Sequence, residues 1–408
     1  MCYASGVPRF RPFRGLRYAA SLAPLADLIA PPYDVVEAEE RRRLAVRSPY
    51  NSIGVELPVA DAERDLDRYE VAAELFASWQ AGGVLVRDPS PAFYVYKMRF
   101  VDQAGEMRAT TGVIGALGLE PSGGAVVPHE QTMAAPGWDR LDLLRACRVN
   151  SSPIWGLSLA AGLTAACTKA IERARAHVAA SDDESTVHEM WLVDDDESIS
   201  LIAGLVAPEA VIVADGHHRH ETAERYRAEC LAHHDGATDG SDSIMAFLAE
   251  LSPEELTLGA IHRLVSGLPD GFDLLGAIAG HFQLEPAPLC AVALTGEMAS
   301  RGAPALATIA GTWLLLPPAK SPSHRDELDS RRVDELLATL APHETEYEHS
   351  PERALDAVRD GRAQAALLVR PATVGQLAEV VGAGVKMPPK STYFHPKPRT
   401  GFVFRPLA

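Results

Sequence analysis

Asp215-Gly216-His217-His218-Arg219 gathers an acid, a glycine, two imidazoles and a guanidinium into five consecutive positions. They follow Val211-Ile212-Val213-Ala214, a short apolar run of the kind that forms a buried strand. Glycine allows a tight turn off the strand and brings backbone N–H groups close to a ligand. A helix starting just beyond it presents unpaired N–H groups and the positive end of its dipole, which suits a phosphate. Arg219 can fork onto phosphate oxygens, His217 or His218 can donate to them, and Asp215 can hold a magnesium ion or orient a histidine. A lone histidine in a turn would be read as packing. Five such residues straight after an apolar strand point instead to a ligand. Zinc suits the cluster less well: helical zinc sites use histidines at i, i+4, and His217, His218 and His220 do not have that spacing.

Two further segments carry suitable groups. Pro128-His129-Glu130-Gln131 sets a glutamate in a loop, where beside a bound hydroxyl and a phosphate donor it can take the hydroxyl proton. Spacing alone does not bring it to the pentapeptide. Near the C-terminus, two prolines set a loop before Lys390-Ser391-Thr392, one cation and two hydroxyls that can bind an anion or simply order a tail. Gly382-Ala383-Gly384 reads as a helix stop, and Asp194-Asp195-Asp196-Glu197 as a solvated acidic turn.

The elements that must position these groups are those of an α/β protein. Apolar spacing predicts helices over 37–46, 61–81, 139–146, 164–178, 221–231 and 373–381, and strands over 92–100, 107–119, 189–192, 210–214 and 365–369, with 92–119 as a hairpin. At 408 residues the chain suggests more than one core: an N-terminal α+β region over 1–120, a catalytic core over 121–265, and a C-terminal α/β region over 266–408 whose tail returns to the site. Acidic residues number 55 against 38 basic ones, so the surface repels a phosphate backbone and generic nucleic-acid binding is not expected. No uninterrupted apolar run reaches membrane-spanning length, and no basic head with an apolar stretch opens the sequence. Five scattered cysteines without a CxxC pair suit a reducing compartment, so a cytoplasmic protein is expected.

The strand-DGHHR-helix segment over 211–219 resembles the phosphate-binding element of the ParB/sulfiredoxin fold, and Pro128-His129-Glu130-Gln131 resembles the PHEQ segment of the free serine kinases of that fold. Arg370-Pro371-Ala372-Thr373, followed by Pro389-Lys390-Ser391-Thr392, resembles the APT and SPKTT segments that close those kinases. From Pro12-Phe13-Arg14-Gly15 through Pro31-Pro32-Tyr33-Asp34 to Ile261-His262-Arg263, the chain also resembles a large bacterial family labelled as a domain of unknown function. The kinase resemblance implies a ParB/sulfiredoxin-like core in which Glu130 is the catalytic base and His218 a second catalytic group. It further implies that residues 215–219 hold the phosphates of ADP or ATP with Mg2+ on Asp215, and that His129, Lys390, Ser391 and Thr392 bind the acceptor. The acceptor it implies is L-serine or a related hydroxy amino acid, giving O-phosphoserine. A phosphoserine-type phosphatase using the same pocket, and a non-catalytic nucleotide-binding or DNA-partition module, are the alternatives. Net charge −17 counts against DNA, and a retained glutamate counts against binding alone. The N-terminal region and the long stretch between Glu130 and Asp215 depart from the kinases and leave the acceptor most open.

Overall fold

Alternating short strands and helices build the protein, for which a computed structural model describes residues 8–22, 24–102, 105–119, 126–128, 138–174, 176–233, 240–318, 328–382, 387–388 and 390–407. The chain divides into two units. Unit 1 comprises residues 1–128, 132–256 and 396–408, and unit 2 comprises residues 129–131 and 257–395.

Unit 1 is organised on a nine-stranded mixed sheet: β1 (Phe10–Arg11), β2 (Phe93–Val101), β3 (Met107–Gly118), β4 (Val126–Pro128), β5 (Ile154–Ser158), β6 (Ala176–Ser181), β7 (Val187–Val193), β8 (Val211–Asp215) and β9 (Ser243–Glu250). Its order is β4-β8-β5-β9-β3-β2-β7-β6, with β1 added to β3. The expected hairpin forms as β2 and β3, with Tyr94 opposite Ile114 and Val101 opposite Met107. β3 also pairs with β9, from Ser243 opposite Gly118 to Ala249 opposite Gly112. The boundary placed near residue 120 therefore falls inside one sheet. Local composition changes there, but the ladder bonds join residues far apart in sequence. β8 runs antiparallel to β5 and parallel to β4, with Val213 opposite Pro128.

The helices of this unit are α1 (Ala38–Arg47), α2 (Ile53–Glu56), α3 (Arg68–Ala81), α4 (Trp138–Cys147), α5 (Leu163–Ile171), α6 (Asp196–Val206) and α7 (His217–His233). One core joins Phe93, Val95 and Val113 of the hairpin to Val211 and Val213 of β8 and to Leu163, Cys167, Ile202 and Val206 of α5 and α6. A second, smaller cluster packs Leu141 and Leu144 of α4 against Tyr226 and Cys230 of α7 and Leu407 of the final segment. That final segment is woven into the unit. Thr400 exchanges backbone hydrogen bonds with Ala30, Phe404 exchanges them with Leu16, and Arg405 donates to Asn150 Oδ1 and to the Ser243 carbonyl.

Unit 2 holds a six-stranded antiparallel sheet: β10 (His262–Ser266), β11 (Gln283–Pro286), β12 (Ala305–Thr308), β13 (Gly311–Leu316), β14 (Glu344–Glu348) and β15 (Ala365–Leu368), in the order β11-β13-β12-β15-β10-β14. Neighbouring residues of its strands enter different clusters. Leu306, Leu315 and Leu367 pack with Ile278, Val333 and Leu336, whereas Ala305, Leu314 and Leu368 pack with Leu294, Met298 and Ala357. Side chains of a strand alternate between faces, so both faces of this sheet are covered. Among the described residues no helix is long and apolar enough to cross a membrane.

Candidate functional site

Strand, tight turn and helix meet at the pentapeptide. The first four residues of β8 are buried, Gly216 takes a left-handed φ of 85°, and α7 begins directly at His217, with the His220 N–H bonded to the Gly216 carbonyl. An added Cβ on Gly216 would stand 3.0 Å from the Arg219 guanidinium, so a side chain there is strained by the backbone conformation and requires Arg219 to give way.

Asp215 receives cations on both oxygens. Arg219 Nη2 donates to Oδ2 at 2.9 Å, and Lys397 Nζ lies 2.8 Å from Oδ1. Lys397 also donates to Asp34 Oδ2 at 2.6 Å and keeps only 9% of its side chain exposed. Burial works against the ammonium, but Asp215 and Asp34 outweigh it and hold its pKa well above the usual lysine value. Burial opposes the Arg219 charge too, and Asp215, Asp34, Tyr33 and Glu56 raise its pKa nonetheless.

Arg219 also donates through Nη1 to Ser152 Oγ at 3.2 Å and to the Pro153 carbonyl. Ser152 in turn donates to Glu56 Oε1 at 2.9 Å, and Ser151 donates to the other oxygen of the same carboxylate. Glu56 is buried to 1% exposure at the end of α2, and its carbonyl accepts from Arg140 Nη1 at 2.8 Å. The Arg140 guanidinium lies over the Tyr33 ring, 4.3 Å from its centroid. Tyr33, Glu56, Arg140, Ser151, Ser152 and Arg219 thus line one pocket together with the apolar Leu143, Leu144, Val149 and Ile244. Burial pushes the Tyr33 phenol up, so it stands there as a neutral donor.

Asp215, Gly216, His217, His218 and Arg219 accordingly sit together at the β8–α7 junction. His218 is partly exposed, and His220 faces Glu224 at 3.6 Å with its pKa lowered by burial. His129 and Glu130 lie outside the described residues, although Pro128, which precedes them, is paired with Val213 of β8. Lys390, Ser391 and Thr392 belong to unit 2: Lys390 is exposed, and Ser391 Oγ accepts from Ser330 Oγ at 3.0 Å in a buried contact. Among the described residues no three His, Cys, Asp or Glu side chains gather as a metal cage.

Sequence reasoning passed over Asp34, Glu56, Arg140, Ser151, Ser152 and Lys397. One signal for Lys397 was available, since three of the chain's six lysines fall between residues 386 and 397. None existed for Glu56, whose importance lies in burial beside distant serines.

Solved structures similar to this chain include a mutant free serine kinase in complex with AMP, 13% identical over 66% of this chain and 83% of that one, at a TM-score of 0.37. A conserved hypothetical protein from Pyrococcus furiosus is 14% identical over 66% of this chain and 87% of that one, at 0.36. SbnI with a C-terminal truncation, from Staphylococcus aureus, is 11% identical over 72% and 87%, at 0.38. No curated protein matches the chain. The family described as protein of unknown function (DUF1015) matches residues 10–357, and the chain belongs to that family.

Proposed function

We propose that the protein is a small-molecule phosphotransferase that moves a phosphoryl group from ADP or ATP to the hydroxyl of L-serine or a related hydroxy amino acid. The observation that carries this reading is the β8–Gly216–α7 junction. A strand ending in an acid turns through a left-handed glycine into the first turn of a helix, with a buried guanidinium alongside. Such a junction offers backbone N–H groups and positive potential to phosphate oxygens.

In this reading residues 215–219 hold the donor phosphates, with His217 and His218 as hydrogen-bond donors. Glu130 takes the acceptor's hydroxyl proton, His218 assists at the reacting phosphate, and His129, Lys390, Ser391 and Thr392 serve the acceptor. Support for Glu130 comes from its motif, Pro128-His129-Glu130-Gln131. Asp215, the carboxylate expected to face magnesium, is engaged by Lys397 and Arg219. That fits an ion that arrives on the nucleotide and takes most of its ligands from phosphate and water.

Incubation with L-serine, Mg2+ and either nucleotide should yield O-phosphoserine. Glu130→Gln should leave nucleotide binding in place and lower turnover by roughly 10²–10⁴-fold, the usual effect of a lost general base. Hydrolysis of O-phosphoserine with no transfer from either donor would replace this reading with the phosphatase.

A further inference from the structure

Lys397 is held by two carboxylates that come from distant parts of unit 1, Asp34 beside the Pro31-Pro32 turn and Asp215 at the end of β8. An ammonium carries three N–H donors. Two are directed at Asp34 and Asp215, and the third has no protein partner among the described residues. A cation this deeply buried is rarely left with an idle donor. The four charges Asp34, Lys397, Asp215 and Arg219 balance to zero, so the two cations keep the two acids from repelling an incoming anion. Asp215 joins both cations, which sets the ammonium beside the Gly216 turn.

We propose that Lys397 is a ligand-contacting residue, its third N–H donating to a phosphate oxygen of the bound nucleotide while Asp34 and Asp215 hold the ammonium in place. The inference rests on the phosphotransferase reading and adds to it a residue from the final segment and a positioning carboxylate from the first. Asp34 acts through Lys397 and does not touch the nucleotide.

The test separates a phosphate contact from an ion pair that only stabilises the fold. Lys397→Met leaves Asp34 and Asp215 facing each other without the cation between them and should melt early. Asp34→Asn combined with Lys397→Met removes one charge of each sign and should recover a melting temperature within about 3 °C of wild type. Calorimetric titration of full-length protein with ADP and Mg2+ should nonetheless show the double variant binding about 10–100-fold more weakly, the loss expected for one charged hydrogen bond. Titration with AMP reads whether that loss depends on the number of phosphates. A double variant that binds ADP as tightly as wild type overturns the proposal and leaves the phosphotransferase reading standing. One that stays unfolded also overturns it, because Lys397 is then structural. Wild-type protein that binds neither nucleotide removes the reading itself.

Discussion

Asp215 anchors a run of polar contacts that passes through Arg219 and Ser152 to the buried Glu56. Interior charges of this kind cost much to desolvate and persist only where partners surround them, so losing one partner is felt by all. Gly216 gives the sharpest single-residue test, because its φ is left-handed and its missing Cβ makes room for the Arg219 guanidinium. Gly216→Ala should destabilise unit 1 by about 1–2 kcal/mol from backbone strain alone. It should also displace Arg219 and weaken nucleotide binding beyond what the stability loss accounts for. Urea unfolding and nucleotide titration on the one variant measure both effects, and unchanged binding would detach Arg219 from the ligand.

Among the elements, α3 shows what a local signal can specify. Asp67 accepts from the N–H groups of Tyr69 and Glu70, while the Glu70 carboxylate accepts from the Asp67 N–H, a complete capping box. Asp67→Ala should cost about 1 kcal/mol, read as a lower urea midpoint with unchanged slope. Apolar spacing extends this helix back to residue 61, yet the residues before Asp67 form a turn in which Asp61 and Leu66 exchange backbone hydrogen bonds. The capping box was the better guide. The alanine-rich stretch after Leu163 misleads in the other direction: α5 stops at Ile171, and Ala176–Ser181 becomes a strand because pairing with β7 outweighs helical preference. The acidic run at 194–197 caps α6, with Asp195 accepting from the Ser198 N–H. What could be read in advance was the hairpin, β8 and the turn into α7, all set by neighbours in sequence. The pocket wall of Glu56, Ser151 and Ser152 could not, since its contacts span some ninety positions and carry no periodic signature.

At the scale of the whole molecule, each unit carries a buried histidine through which acid should lower its stability. His262 of unit 2 is fully buried, accepts from the Val369 N–H, and is pulled down to about 4 by burial, with Arg263 pushing the same way and Glu348 against it. An unfolded histidine titrates near 6.5, so the unfolded chain binds a proton before the native one does. Stability is therefore full above pH 6.5 and falls progressively towards pH 4, by about 3 kcal/mol from this group. His262→Gln, which keeps an acceptor for Val369, should flatten that slope in melts taken at pH 7, 5.5 and 4.5. His188 in unit 1 is lowered by burial too, so the share of unit 2 is the difference between wild type and variant.

Weaving residues 396–407 into unit 1 also sets an order of assembly during synthesis. Unit 2 is encoded almost entirely between residues 257 and 395 and leaves the ribosome as a nearly continuous piece, able to collapse on its own sheet. Unit 1 has most of its strands in hand earlier, yet the partners of Leu16, Ala30 and Asn150 arrive only after unit 2 has been translated. Lys397 arrives with them. A nascent chain interrupted anywhere before that point carries Asp34 and Asp215 without their shared cation, so the charge cluster is completed only after the whole of unit 2 has been made.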